Sequence, residues 1–335
     1  SAFISPKSEA ITPFNSSQLA QCIAMNKLAH FIVHSKAAAY IAALLYVCVW
    51  VLRTVGQGGA FAPSDYIGLL LSLIVGYLSV KVGRELSFID ARNVLPATLF
   101  FMGCAIAPQL EPEPAGYIQS LLYPAACYTL LRTYRDRSAM GSYFMAFVLI
   151  GVACLQAPPL LLTLPLTVVC GAFMESLHGR TFFAALWGLL CPYWVAFCVL
   201  FLTDRIDVIP AYLGSITLSR GVGPGLSQVW AEGLWMLLLA LPGSVTMLLH
   251  RAMKLQTNAS YRLLMVALLV LLVTVAISPG LYLSLRYCVL LYVSLIASTL
   301  FVGNSSRSLN IFLLLLFIFW LAIVVFQVWS SFTTH

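Results

Sequence analysis

The chain has 335 residues, of which 61% are hydrophobic and only 9% charged, with a mean hydropathy of +0.96. Soluble domains carry about 25% charged residues, so a soluble fold is excluded and a polytopic membrane protein is indicated. The net charge of +7 does not point to nucleic acid, because Lys and Arg accumulate in the cytoplasmic loops of membrane proteins and no basic cluster here is interleaved with aromatics.

Residues 1–35 begin polar and Ser-rich and then turn amphipathic, with Leu19, Ile23, Leu28 and Ile32 near one helical face. They read as a polar tail followed by an interfacial amphipathic helix. Residues 36–335 read as a single transmembrane domain. A crossing helix needs about 20 apolar residues. Eleven such stretches are predicted, at about 37–53, 66–82, 93–109, 115–131, 139–156, 158–174, 181–203, 228–249, 262–278, 281–302 and 309–329. The first reads as an uncleaved anchor, since Pro63 directly follows the small-residue sequence AFA at 60–62 and hinders cleavage there. The fifth and sixth meet at QAPPL, where Pro158 and Pro159 force a turn.

Alternation of the eleven spans can be tested against charge. With a cytoplasmic N-terminus, fourteen Lys and Arg fall inside, only Arg53, Arg205 and Arg220 fall outside, and Arg286 lies within a span. That asymmetry is the positive-inside pattern, and it puts the C-terminus outside. Trp50, Trp230, Trp235 and Trp329 then mark the outer interface as an aromatic belt. The predicted fold class is therefore an all-α polytopic transmembrane helix bundle.

Within the bundle the apolar rule is broken at a few places. Pro96, Pro165, Pro192 and Pro242 fall inside predicted spans. Each removes a backbone donor and frees a carbonyl that lipid cannot satisfy. Arg286 lies roughly 9 Å inside the outer end of its helix at about 1.5 Å of rise per residue, a depth that costs about 2–3 kcal/mol on insertion scales. Glu232 lies at matching depth in the eighth span. An Arg286–Glu232 pair would make the arginine structural, whereas an open cleft beside it would imply a bound anion such as a lipid-linked phosphate. The outer connection 204–227, DRIDVIPAYLGSITLSRGVGPGLS, adds Asp204 and Arg205 as candidate ligand contacts. Its Gly and Pro content suits a flap over the outer mouth as well as a plain loop.

No metal or cofactor is expected. The five histidines lie at helix ends or in tails, and the nine cysteines form no C-x-x-C, so no ligand set emerges. Neither a phosphate-cradling Walker loop nor a G-x-S-x-G elbow occurs.

The stretch from LLRTYRDRSAMGSYFMAFVLIGVACLQAPPLLLTLPL to LHGRTFFAALWGLLCPYWVAFCVLFLTD resembles a Bacteroidota family of polytopic inner-membrane proteins. The positions that carry the likeness are Gly151, Ala153, Leu155, Pro158, Arg180, Gly188, Pro192 and Tyr193. The helix order also looks like that of the C-type (GT-C) membrane glycosyltransferases. There a basic cytoplasmic turn joins the second and third helices, here within KVGRELSFIDARNVLPATLFFMGCAIAP. The resemblance implies a polyprenyl-phosphate-linked glycan or lipid handled at the outer face, with Arg286 gripping the phosphate and Asp65 as the catalytic carboxylate. It departs from that pattern in the first outer loop, TVGQGGAFAPSD, which is short and holds Asp65 as its only carboxylate. Asp65 also suits an N-cap of the second span.

Three functions follow for a bacterial inner-membrane, multi-pass chain. It handles a polyprenyl-phosphate-linked substrate, it is a non-catalytic scaffold subunit of a membrane complex, or it is a transporter. Expected partners are membrane lipid, including polyprenyl phosphate, and membrane-protein subunits, and not nucleic acid.

Overall fold

The computed structural model describes residues 35–56, 63–85, 94–106, 114–136, 138–156, 158–164, 175–215, 226–249, 255–301 and 307–333, and these form helices and short turns with no strand among them. In chain order they are α1 (Lys36–Gly56), α2 (Pro63–Glu85), α3 (Leu95–Ile106), α4 (Pro114–Leu131), α5 (Met140–Gln156), α6 (Gly179–Leu202), α7 (Val208–Ser215), α8 (Leu226–Leu249), α9 (Leu255–Ile277), α10 (Tyr282–Ser298) and α11 (Arg307–Thr333). Three 3₁₀ segments, Pro158–Thr163, Pro279–Leu281 and Thr299–Phe301, sit between or after them. The chain is all-helical, as the apolar stretches require.

Among the described residues three helices are long and apolar enough to cross a membrane: Ala37–Gly56, Gly179–Leu202 and Ser308–Ser330. Shorter apolar segments run through α2, α3, α4, α5, α8, α9 and α10. Ten of the predicted spans coincide with described α-helices. Of the sixth, the 3₁₀ turn at Pro158–Thr163 and Leu164 are described, and 165–174, with Pro165, lie outside the described residues. Residues 1–34 and the expected interfacial helix also lie outside them. α7 is an addition, inside the segment expected to be a loop.

The bundle is built around two helices buried by their neighbours, α3 and α10 from Leu285 onward. Every residue of α3 is buried, and so is every residue from 285 to 300 in α10 and the turn after it. α10 packs against α2, α3, α4, α8 and α9, and α3 also meets α1, α2, α8 and α11. The central helix is polar for a membrane helix. It carries Arg286, Tyr287, Tyr292, Ser294 and Ser298, all buried. Ser294 and Ser298 donate to the carbonyls of Leu291 and Leu295 on their own helix, which satisfies the hydroxyls without a neighbour. The outer helices reverse this. α6 shows Phe183, Trp187, Trp194 and Phe201 to the exterior, each more than 60% exposed. Apolar surface faces outward and hydroxyls face inward because lipid solvates the first and only protein satisfies the second.

α6 packs closely on α5 alone among the long helices. Its buried positions, Thr181, Ala185, Gly188 and Pro192, recur every three or four residues. A methyl on Gly188 would overlap the carbonyl of Phe144, and one on Gly151 would come 2.9 Å from the Leu189 carbonyl and 3.1 Å from the Pro192 ring. Gly188 and Gly151 thus allow the two backbones to touch, the small-residue approach of membrane helices. Gly151, Gly188 and Pro192 serve this one contact, and Ala153 is buried.

Of the predicted proline breaks, Pro192 and Pro242 lie inside α6 and α8, as does an unpredicted Pro124 inside α4. Pro96 is not a break. It is the second residue of α3, in the first turn, where the missing N–H has no intrahelical partner to lose.

Candidate functional site

The buried charges gather at one end of the bundle. α8 buries Ala231, Glu232, Trp235 and Leu239, a helical stripe that turns Glu232 inward. The turn at Pro279–Leu281 starts α10, and Arg286 follows one turn later, 5% exposed. The two helices pack together and the charges meet. Arg286 Nε lies 3.7 Å from Glu232 Oε1, an ion pair too long for a hydrogen bond. Glu232, with 0% exposure, accepts a 2.7 Å hydrogen bond at Oε2 from the Tyr282 hydroxyl. Arg286 donates from Nη2 to the Tyr287 hydroxyl at 3.0 Å, and its guanidinium carbon lies 4.8 Å from the centre of the Tyr287 ring. Each charged group therefore has a hydrogen bond to a tyrosine, while Glu232 Oε1, which faces the guanidinium, is buried without a hydrogen bond.

Arg53 joins this end from α1. Its side chain is 6% exposed and donates to Gln327 Oε1 of α11, and its charge interacts with that of Arg286 and with Tyr46. Tyr46 in turn accepts a 3.1 Å hydrogen bond from Ser72 of α2. The charge count takes Arg53, at the end of the first span, as an outer-side charge; its side chain is buried in the bundle. It extends the buried stripe Ala38, Ala42, Tyr46, Val49 by one more turn. That helical spacing was the available signal, overridden by Arg53's place near the span's end. Trp235 is a second correction. It is fully buried beside Gly103 and Leu290, not part of an outer belt, whereas Trp230 and Trp329 are exposed.

The remaining predicted site residues do not join the cluster. Asp204 and Arg205 are exposed in the turn after α6, where Asp204 adopts a left-handed φ of 56°. No described contact links either to Arg286. Asp65 is the third residue of α2, and its side chain lies outside the described residues. The first part of the outer connection is tied down. Tyr212 of α7 donates to the Cys154 carbonyl of α5 at 3.0 Å and lies 3.2 Å from the Tyr193 hydroxyl of α6. Residues 216–225 of the expected flap lie outside the described residues.

The opposite end holds a second polar cluster that sequence reasoning missed. Thr133, Tyr143, Ser176 and Thr181 are each at most 1% exposed. Ser176 lies 2.7 Å from the Tyr143 hydroxyl and 3.3 Å from that of Thr133, and its carbonyl accepts from Thr181 at 3.0 Å. Outside it, Arg135 and Glu175 pair at 2.7 Å, which raises the Arg135 pKa through the hydrogen bond and charge of Glu175. Asp136 accepts from the backbone N–H and the hydroxyl of Ser138, and these bonds lower its pKa. The chain leaves α5 at Gln156 and is back against Tyr143, at the start of α5, by Ser176.

Among the described residues no group of three or more His, Cys, Asp or Glu is placed to hold a metal ion. No family model, no curated protein and no solved structure matches the chain.

Proposed function

We propose that the chain is a non-catalytic, multi-pass scaffold subunit of a bacterial inner-membrane complex. The fate of Arg286 carries this reading. Its charge is met by Glu232 and by the ring and hydroxyl of Tyr287, and both charged groups are buried. A phosphate-gripping arginine needs its donors directed at a cleft, whereas here the pair joins α8 to α10. Broad exposed apolar faces, the aromatic one of α6 above all, leave room for lipid and for neighbouring subunits.

A second reading keeps the polyprenyl-phosphate-linked substrate. One feature favours it: two guanidiniums, Arg53 and Arg286, share the same end of the bundle. One experiment separates the two. The tagged chain, extracted from its own membranes in mild detergent, is sized, and the purified chain in neutral-lipid nanodiscs is titrated with polyprenyl phosphate. The scaffold reading expects a particle of defined stoichiometry well above the 36.7 kDa of one chain and no saturable binding that depends on Arg286. A monomer that binds polyprenyl phosphate and loses it in Arg286→Gln overturns it.

A further inference from the structure

α6 stands at the edge of the bundle. It is the least buried of the three helices long and apolar enough to cross a membrane, and Gly188 and Pro192 close one of its faces against α5. Its outer face carries a second stripe. Phe183, Trp187, Leu190, Trp194, Phe197 and Phe201 are all exposed and follow one another at steps of four, three, four, three and four residues. That alternation is the heptad seam of a left-handed helix pair, with Trp187, Trp194 and Phe201 at its a positions and Phe183, Leu190 and Phe197 at d. The other large exposed residues of α6 are aliphatic, Phe182 excepted. Rings also meet along the seam: the Trp194 and Phe197 centroids lie 6.2 Å apart, and those of Phe197 and Phe201 6.4 Å.

The depth of the two tryptophans argues against lipid as the neighbour. α6 has 24 residues, so Trp187 and Trp194 lie symmetrically about its middle, roughly 5 Å to either side at about 1.5 Å of rise per residue. Hydrocarbon extends about 15 Å from a bilayer midplane, which puts both indoles well inside it, away from the headgroup level where tryptophan is enriched. Neither N–H meets a described acceptor, and acyl chains offer none.

A row of rings is complementary to another row of rings. Each ring has a negative face and a positive edge, and an indole N–H donates to a ring face. Two copies of one chain insert alike, so a twofold axis along the membrane normal sets α6 parallel to α6 and matches every residue with its own depth. We propose that α6 is a dimerisation helix, and that a second copy of the chain packs its Phe183–Phe201 stripe into the first, knobs into holes. The five rings carry about 150–250 Å² each and are about half to two-thirds exposed, so a pair that hid them would bury on the order of 1,200 Å², the size at which specific interfaces begin. The pairing holds whether the chain is a scaffold or handles a substrate.

The test uses the purified full chain, fluorescently labelled, in phosphatidylcholine liposomes, with copies counted by single-molecule photobleaching as the protein is diluted in lipid. The wild type should pass from dimer to monomer on dilution. Trp187→Ala and Trp194→Ala should each weaken the dimer roughly fivefold, the factor for one aromatic pair lost. Val199→Ala, exposed on α6 away from the seam, should leave it unchanged. In a chain carrying Cys191→Ala and Cys198→Ala, Leu190→Cys should link two copies under mild oxidation much faster than Val199→Cys. Circular dichroism of each variant checks that the exterior change leaves the helices folded. A wild type that stays monomeric at the highest protein density, a Trp187→Ala, Trp194→Ala double variant that dimerises as the wild type does, or equally fast linking at Val199→Cys would each overturn the proposal. The purified chain alone is counted, so such a failure leaves intact the larger particle from native membranes that tests the scaffold reading.

Discussion

Removing one charge of the Glu232–Arg286 pair leaves the other buried with its desolvation uncompensated, a change that typically costs about 3–5 kcal/mol. Arg286→Gln and Glu232→Gln should each destabilise the detergent-solubilised protein by that order. The double variant should lose less than the sum of the two, measured as coupling in a double-mutant cycle. Tyr282→Phe removes a hydroxyl bonded to the carboxylate and should cost about 1.5–3 kcal/mol. At this scale the sequence was half legible. Arg286 and Glu232 stood out because charge inside a span is rare, and their matched depth made a pair conceivable. Arg53 and Trp235 were misplaced for one reason. Depth along a helix can be counted from sequence, but whether a side chain at that depth faces lipid or protein depends on which neighbour the helix meets.

The α5–α6 contact offers a comparison between glycines. Gly188→Ala forces a methyl against the Phe144 backbone, which cannot rotate away as a side chain can, so the helices must part. Overpacking of that kind costs about 1–3 kcal/mol. Gly141→Ala, with nothing within 4 Å of its added methyl, should leave stability unchanged or slightly raised by helix propensity. Thermal unfolding of the two variants measures the contrast. The turn between α4 and α5 carries a pH dependence. The Asp136 pKa is lowered in the fold by its bonds to Ser138, so the turn is fully stabilised above the ordinary aspartate pKa near 4 and loses that contribution as pH falls through the lowered value. The protection factor of the Ser138 amide, its exchange measured against the intrinsic rate at each pH, should fall on acidification over that window. Helices of this kind were legible because twenty apolar residues leave few alternatives. The face each one buries was not: lipid-facing and protein-facing residues are both apolar, so the alternation that marks an amphipathic helix in water fades.

Across the whole molecule the ends of the helices sort into two sets. Arg53, Tyr66, Cys154, Tyr212, Glu232, Arg286 and Gln327 meet at one end, and Lys81, Tyr128, Thr133, Tyr143 and Ser176 meet at the other. The charge asymmetry of the sequence predicts a direction of insertion that can be tested. A membrane-impermeant maleimide should therefore label Asp204→Cys on intact cells stripped of their outer envelope, and Ser138→Cys only after permeabilisation. The reverse pattern would invert the bundle.

The place of α10 in the chain sets an order for assembly. α10, against which α2, α3, α4, α8 and α9 pack, begins only at residue 282, so a ribosome working at about 5–20 residues per second spends roughly tens of seconds on the residues before it. Until α10 emerges, α2, α4, α8 and α9 have no common partner, and Glu232 waits in the bilayer without its arginine. α11 then closes on α1 through Gln327 and Arg53. A nascent chain of this design stays open to chaperones and to membrane proteases through most of its synthesis, and becomes resistant in one late step.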